Sequence, residues 1–249
     1  MRREAFGWHT HRLPCPARIV RWGHYGKPVL LFPTAGGDCE EAERHGLIAA
    51  IAWLIEAGRI KVYSVDSVAG QHWVSRRHPP EYSSHVQNMF DAYVYEEVVP
   101  FIRHDCASAG IEILAAGASI GAFNAVASLC RHPDAFWLAL GMSGTYDLSR
   151  YLDGRWNQDF YFSSPLHYLP GLGEGWQLDA LRRRMVVLAS GSGRWEDVGE
   201  SWRLAGVLGG KGIPNRVDDW GATRDHDWPT WHAMLPRFLE RVLPRVAAA

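Results

Sequence analysis

The chain has 249 residues, of which 47% are hydrophobic, and its 26 Lys and Arg nearly balance 27 Asp and Glu. That length can bury a full core as one large α/β domain or two small ones, and with no linker-like stretch a single domain over 1–249 is expected. Near-neutral charge creates no long-range field to draw nucleic acid or an anionic membrane surface, so neither is an expected partner.

Cys15, Cys39, Cys106 and Cys130 make neither a Cys-x-x-Cys pair nor a zinc-ligand spacing, which points to reduced thiols in a cytoplasmic protein. The N-terminus has basic residues with no apolar segment behind them, so no secretory signal is expected. The longest apolar run, 47–55, is too short to span a bilayer.

Taken in order, residues 6–13 and 18–22 read as two strands broken by Pro14 and Pro16, an antiparallel opening hairpin. His9 and His11 alternate onto one face of the first strand, but without a third ligand nearby they read as structural. Val29, Leu30, Leu31 and Phe32 form a continuous apolar run, the mark of a central parallel strand, and end in the loop Pro33-Thr34-Ala35-Gly36-Gly37. Asp38 and Glu41 then make a capping-box pattern ahead of one helix with apolar positions at Leu47, Ile51, Leu54 and Ile55, closed by Gly58. Residues 60–65 are the next strand, followed by a loop holding Asp66, Ser67, His72 and Trp73. Phe90, Val94, Val98, Phe101 and Ile102 predict a long helix in which Pro100 removes one donor and causes a kink.

The sequence turns on Gly117-Ala118-Ser119-Ile120-Gly121. An apolar strand precedes it and a helix over 122–131 follows, so the chain must bend sharply at Ser119. Glycines two before and two after leave room where a Cβ would strike backbone, which makes this a nucleophile elbow. The alternative is five small residues that merely pack strand on helix. The helix N-terminus aims free N–H groups at negative charge developing beside the serine. One oxyanion donor is then the Ile120 N–H, and the other comes from the loop at Ala35 and Gly36.

A serine hydroxyl needs a neighbouring base, and the base an acid to hold its tautomer. An elbow serine is followed in chain order by the acid and then the histidine, the latter in a loop after the last strand. His226 follows the strand over 216–220, whereas His232 falls within the closing helix that opens at Pro229. The loop after the strand at 185–189 offers Glu196, Asp197 and Glu200 as acids. Glu196 is the first choice; Asp197 and Asp147 stay open, because each also suits a solvated helix start.

Residues 148–176 break the βα alternation with Tyr151, Trp156, Phe160, Tyr161, Phe162 and Tyr168 among prolines and glycines, which suggests a small aromatic-rich cap. Trp73, Trp156, Tyr161 and Phe162 are expected to shape an apolar substrate pocket. A surface excursion whose aromatics pack on one another is the competing view. The short basic runs at 76–78 and 182–184 read as solvated edges.

Phe32-Pro33-Thr34-Ala35-Gly36-Gly37, the elbow, Ser143-Gly144-Thr145-Tyr146-Asp147 and His226-Asp227-Trp228-Pro229-Thr230-Trp231 stand in an order that resembles the putative-esterase branch of the α/β hydrolases, relatives of S-formylglutathione hydrolases, feruloyl esterases and mycolyltransferases. The resemblance spans nearly the whole chain and carries over Ser119 and His226, and Glu196 from a Gly-x-Gly-x-Trp-Glu segment. It implies an α/β-hydrolase fold with a mostly parallel sheet flanked by helices, and a serine esterase of small or medium acyl groups acting through an acyl-enzyme. A small-molecule ester is the expected partner, and neither metal nor organic cofactor is required. Acyl transfer to an alcohol or sugar, and a non-catalytic binding protein on the same fold, are the alternatives. Oligomeric state is open, a homo-oligomer included.

Overall fold

The apolar runs become strands buried on both faces. The computed structural model describes residues 1–243, with β1 (Arg3–Trp8), β2 (Ala17–Trp22), β3 (Lys27–Phe32), β4 (Ile60–Val65), β5 (Ile113–Ala118), β6 (Phe136–Met142), β7 (Met185–Ser190) and β8 (Asn215–Asp219). They form a single eight-stranded sheet in the order β1-β2-β4-β3-β5-β6-β7-β8. β1 pairs antiparallel with β2 and β2 with β4, and every pairing from β4 across to β8 is parallel.

Because side chains alternate across a strand, each strand feeds two cores. Leu30, Phe32, Tyr63, Ile113 and Ala115 pack on one face under the helices Pro80–Tyr93 and Ile120–Arg131. Val29, Leu31, Val62, Leu114 and Ala116 pack on the other under the closing helix Trp228–Val242. Each fully buried aliphatic side chain contributes roughly 1.5–3 kcal/mol.

The structure departs from the sequence reading at several boundaries. The opening hairpin is present, but its first strand starts at Arg3 and ends at Trp8, which puts His9 and His11 in the connection. The helix predicted from Asp38 is three short pieces, Glu41–Arg44, Leu47–Ala50 and Ala52–Glu56: Gly46 at φ 79° breaks the spiral once, and Ile51 at φ −112° and ψ 8° breaks it again. No capping box forms: Asp38 accepts from the Glu40 N–H, and Glu41 reaches back to Thr34. His72 and Trp73 lie on a helix, Val68–Ser75, not in a loop. The long helix starts earlier, at Pro80, and meets Pro100 through a π-helical turn, Val94–Val98. Widening the helix there accommodates the proline ring and its missing donor. Residues 148–176 are short helical turns, including Gln158–Ser163 and Pro165–Tyr168, and Trp176 opens a further helix, Trp176–Leu181.

The cysteines are free thiols. Burial pushes the Cys39 and Cys130 thiols up to about 12. Among the described residues no helix is long and apolar enough to cross a membrane, and no group of His, Cys, Asp or Glu is arranged to hold a metal ion.

Candidate active site

Ser119 stands between the end of β5 and the helix Ile120–Arg131, at φ 58° and ψ −124°. A non-glycine residue held there carries about 1–3 kcal/mol of strain, so the surroundings must enforce it. They do so by contact. A Cβ on Gly117 would lie 2.3 Å from the Gly121 carbonyl carbon, and a Cβ on Gly121 would lie 2.3 Å from the Phe32 oxygen. The two glycines let strand and helix touch, and the second also lets the end of β3 lie against the turn. Replacing Gly121 with Ala should therefore force backbone apart and destabilise the fold by about 3 kcal/mol, measured as a shift in the denaturant midpoint.

The loop after β3 is fixed beside this elbow. Gly37 N–H donates to the Thr34 carbonyl at 3.0 Å, so Ala35 and Gly36 occupy the corners of a tight turn. Among the described residues neither corner N–H has a protein acceptor. Ala35 packs with Ile120 in the small apolar cluster around Phe123 and Trp73. The buried Glu41 carboxylate holds the turn, accepting from the Thr34 N–H at 2.8 Å and the Thr34 hydroxyl at 2.7 Å. Free N–H groups at a corner held from behind suit an oxyanion because they need no reorganisation.

Ser119, Ser143, Thr145, Arg150, Glu196 and His226 line one cavity of about 200 Å³ at the carboxyl ends of the central strands. That is where open α/β sheets bind ligands. His226 Nδ1 lies 3.6 Å from Glu196 Oε2, and the Glu196 side chain is only 1% exposed. Glu196 also accepts from the Ser143 hydroxyl and, at 3.2 Å, from the Ser190 hydroxyl. Trp231 Nε1 donates to Ser143 Oγ at 2.9 Å, while its ring meets the His226 ring edge-on at 5.3 Å. The two loops carrying His226 and Glu196 are laced together: His226 N–H donates to Arg194 O at 3.0 Å, and Arg194 N–H to Asp225 Oδ1 at 2.7 Å.

Asp197 and Glu200 also line the cavity, but the other acids have backbone or arginine partners instead of His226. Asp197 caps the helix Val198–Gly210 by accepting from the Gly199 N–H. Glu200 accepts from the Tyr146 and Asp147 N–H groups, at 2.8 Å each, and pairs with Arg203. Asp147 accepts from the Ser149 N–H; burial alone would raise its pKa, but the bonds to Ser149 and the nearby charges hold it below the usual carboxylate range. His232 Nε2 donates to the His45 carbonyl at 2.7 Å, on the outer side of the closing helix.

The four aromatics expected to wall the substrate pocket do not line this cavity. Trp73 is buried beneath the elbow helix, where its Nε1 donates to Gln87 Oε1 at 3.1 Å. Trp156 is 58% exposed and rests edge-on against Phe160, while Tyr161 and Phe162 lie outside, edge-on to each other. On the short helix Gln158–Ser163 only one face can turn inward, and Phe160 takes it. The cavity wall is mostly polar instead, with Trp195 as its aromatic member. Ser190 and Trp231 were missed as partners of the site because one reads as a strand end and the other as a core position of an amphipathic helix.

The parallel sheet, the strand-turn-helix at Ser119 and the histidine loop after the last strand define an α/β hydrolase. More narrowly, the model of the family described as "Putative esterase" matches residues 41–242, and the chain belongs to that family. It is accordingly a carboxylic ester hydrolase. Among solved structures the chain is similar to a ferulic acid esterase, with a TM-score of 0.73 at 15% identity over 98% of both chains. It is also similar to an S-formylglutathione hydrolase from Agrobacterium tumefaciens, with a TM-score of 0.73 at 13% identity over 96% of this chain and 93% of that one. A third is MPT51 (FbpC1) of Mycobacterium tuberculosis, with a TM-score of 0.71 at 17% identity over 97% and 98%. At such identities these likenesses establish the fold alone. A search of curated protein sequences gives no significant match.

Proposed function

We propose that the protein hydrolyses small carboxylic esters through Ser119, His226 and Glu196. The observation that carries this is the strained Ser119 turn opening into the same cavity as His226, whose Nδ1 faces the buried Glu196 carboxylate. With Nδ1 directed at Glu196, Nε2 is the nitrogen left to take the Ser119 proton as Oγ attacks the ester carbonyl. The 3.6 Å separation closes when the imidazolium forms, because the charged pair attracts more strongly than the neutral ring. The Ile120 N–H and the corner N–H groups of Ala35 and Gly36 receive the oxyanion. His226 then protonates the leaving alcohol, and water activated by the same imidazole cleaves the acyl-enzyme.

If the turn at Ala35 and Gly36 does this work, Glu41 holds it in place from behind. Changing Glu41 to Ala should lower kcat about 10²-fold with a smaller effect on KM, read in steady-state kinetics on p-nitrophenyl acetate.

A cavity of about 200 Å³ walled by polar groups favours short acyl chains. A panel of p-nitrophenyl esters from acetate to decanoate tests this: kcat/KM should peak at acetate to butyrate, and a peak at eight to ten carbons would refute the short-acyl reading. Adding alcohols to the same assay separates hydrolysis from acyl transfer, since an acceptor that outcompetes water yields a new ester. In this reading residues 148–176 cap the cavity as part of one domain.

A further inference from the structure

Arginines elsewhere in the chain are mostly paired. Arg182 and Arg184, of the basic run near the carboxyl half, meet Glu174 and Glu112, and Arg18 grips Asp66. Arg224, Arg237 and Arg241 differ. They line a single cavity of about 560 Å³ between the edge strand β8 and the closing helix, together with Trp220 and Thr223. Among the described residues none of the three has a carboxylate within ion-pair distance. Of the cavity's own acids, Asp218 is gripped by Arg216 at 2.8 and 3.0 Å, while Asp219, whose Oδ1 accepts from the Gly221 N–H at 2.8 Å, stands as one carboxylate against three guanidinium groups.

The guanidinium groups of Arg224 and Arg237 lie 5.9 and 5.3 Å from the Trp220 ring centroid. Such contacts contribute about 0.5–1 kcal/mol each and fix direction, but they leave the charge in place. Arg237 and Arg241 stand four apart on one face of the closing helix. The negative end of that helix offsets only part of the Arg241 charge. Three forked donors around one hollow match the oxygens of a phosphate-type anion.

We propose that this cavity binds a small molecule bearing a phosphate-type dianion, and that its occupancy acts on the loop carrying His226. The second half follows from the chain path and rests on the triad reading above. Arg224 is two residues before His226, and its carbonyl accepts from the Gly193 N–H at 3.0 Å. A Cβ on Gly191 would lie 2.0 Å from that same carbonyl oxygen, so the Arg224 backbone is wedged against the segment leading to Glu196. An anion drawing on the Arg224 side chain therefore bears on both halves of the His226 and Glu196 pair.

Titration calorimetry of the full chain with inorganic pyrophosphate tests the site, and kcat on p-nitrophenyl acetate in the same buffers tests the coupling. Saturable binding is expected, weakened about a hundredfold in the Arg237→Ala, Arg241→Ala double variant, since each lost charged hydrogen bond removes about a factor of ten. Arg237→Lys, which keeps the charge but loses the fork, should fall between them. Without pyrophosphate the double variant should turn over like the wild type. Absence of saturable binding, or equal affinity in the double variant, would overturn the site. Binding with no change in kcat, against sodium chloride at matched ionic strength, would overturn the coupling. Calorimetry does not depend on ester turnover, so failure of the anion site and failure of the triad register separately.

Discussion

Replacing Ser119 with Ala should lower kcat on p-nitrophenyl acetate about 10⁴-fold or more while leaving the fold intact. Alanine keeps the Cβ and therefore the same backbone demand at φ 58°, so a loss of activity with an unchanged melting temperature isolates the hydroxyl. Ser119→Gly sharpens the test. Glycine adopts this conformation without penalty, so the variant should be equally inactive yet more stable by about 1 kcal/mol. A serine kept only for packing would give the opposite pattern, with activity surviving in both variants. The expected pattern would mean that the strain at the elbow serves to present Oγ; the glycine contacts at Gly117 and Gly121 hold that conformation.

Glu196→Gln should lower kcat about 10⁴-fold, because the amide preserves shape but turns a donor toward His226 Nδ1 and favours the wrong tautomer. The substitution also separates the acids that the sequence left open. Asp197→Asn should cost little, since asparagine caps a helix about as well as aspartate. Glu200 accepts two backbone N–H groups and an arginine, so its loss should appear as lower stability more than lower kcat. Should Asp197→Asn instead produce the large fall, the acid has been misassigned. Ser143 links these effects, because its hydroxyl both donates to Glu196 and accepts from Trp231 Nε1.

How much of this could be read from the sequence depends on whether one residue's neighbours along the chain decide its place. Val29 to Phe32 and the strand before the elbow are continuous apolar runs, and burial on both faces of a parallel sheet follows from that alone. The bend at Ser119 was legible because only glycine fits where backbone meets backbone. The loop position of His226 after the last strand was legible too, and it falls in the cavity that Ser119 lines. What escaped depends on contacts between distant segments. Glu41 looks like a capping residue, yet its carboxylate is claimed by Thr34 in the preceding loop, and a pattern four residues wide does not register that competition. Composition marks residues 148–176 as aromatic, but which ring turns inward is settled by a single helical turn against the sheet. Phe160 is buried and its neighbours Tyr161 and Phe162 are not. Trp231 carries an apolar periodicity that conceals its one polar atom, the atom that meets Ser143.

The central claim is that one activated hydroxyl, Ser119, performs the chemistry, with His226 raising its reactivity. Labelling with a fluorophosphonate, followed by peptide mapping in a mass spectrometer, measures this without knowledge of the natural substrate. A single adduct on Ser119, formed by the wild type and suppressed in His226→Ala, is the expected result. An unreactive wild type, an adduct on another residue, or undiminished labelling without His226 would contradict it.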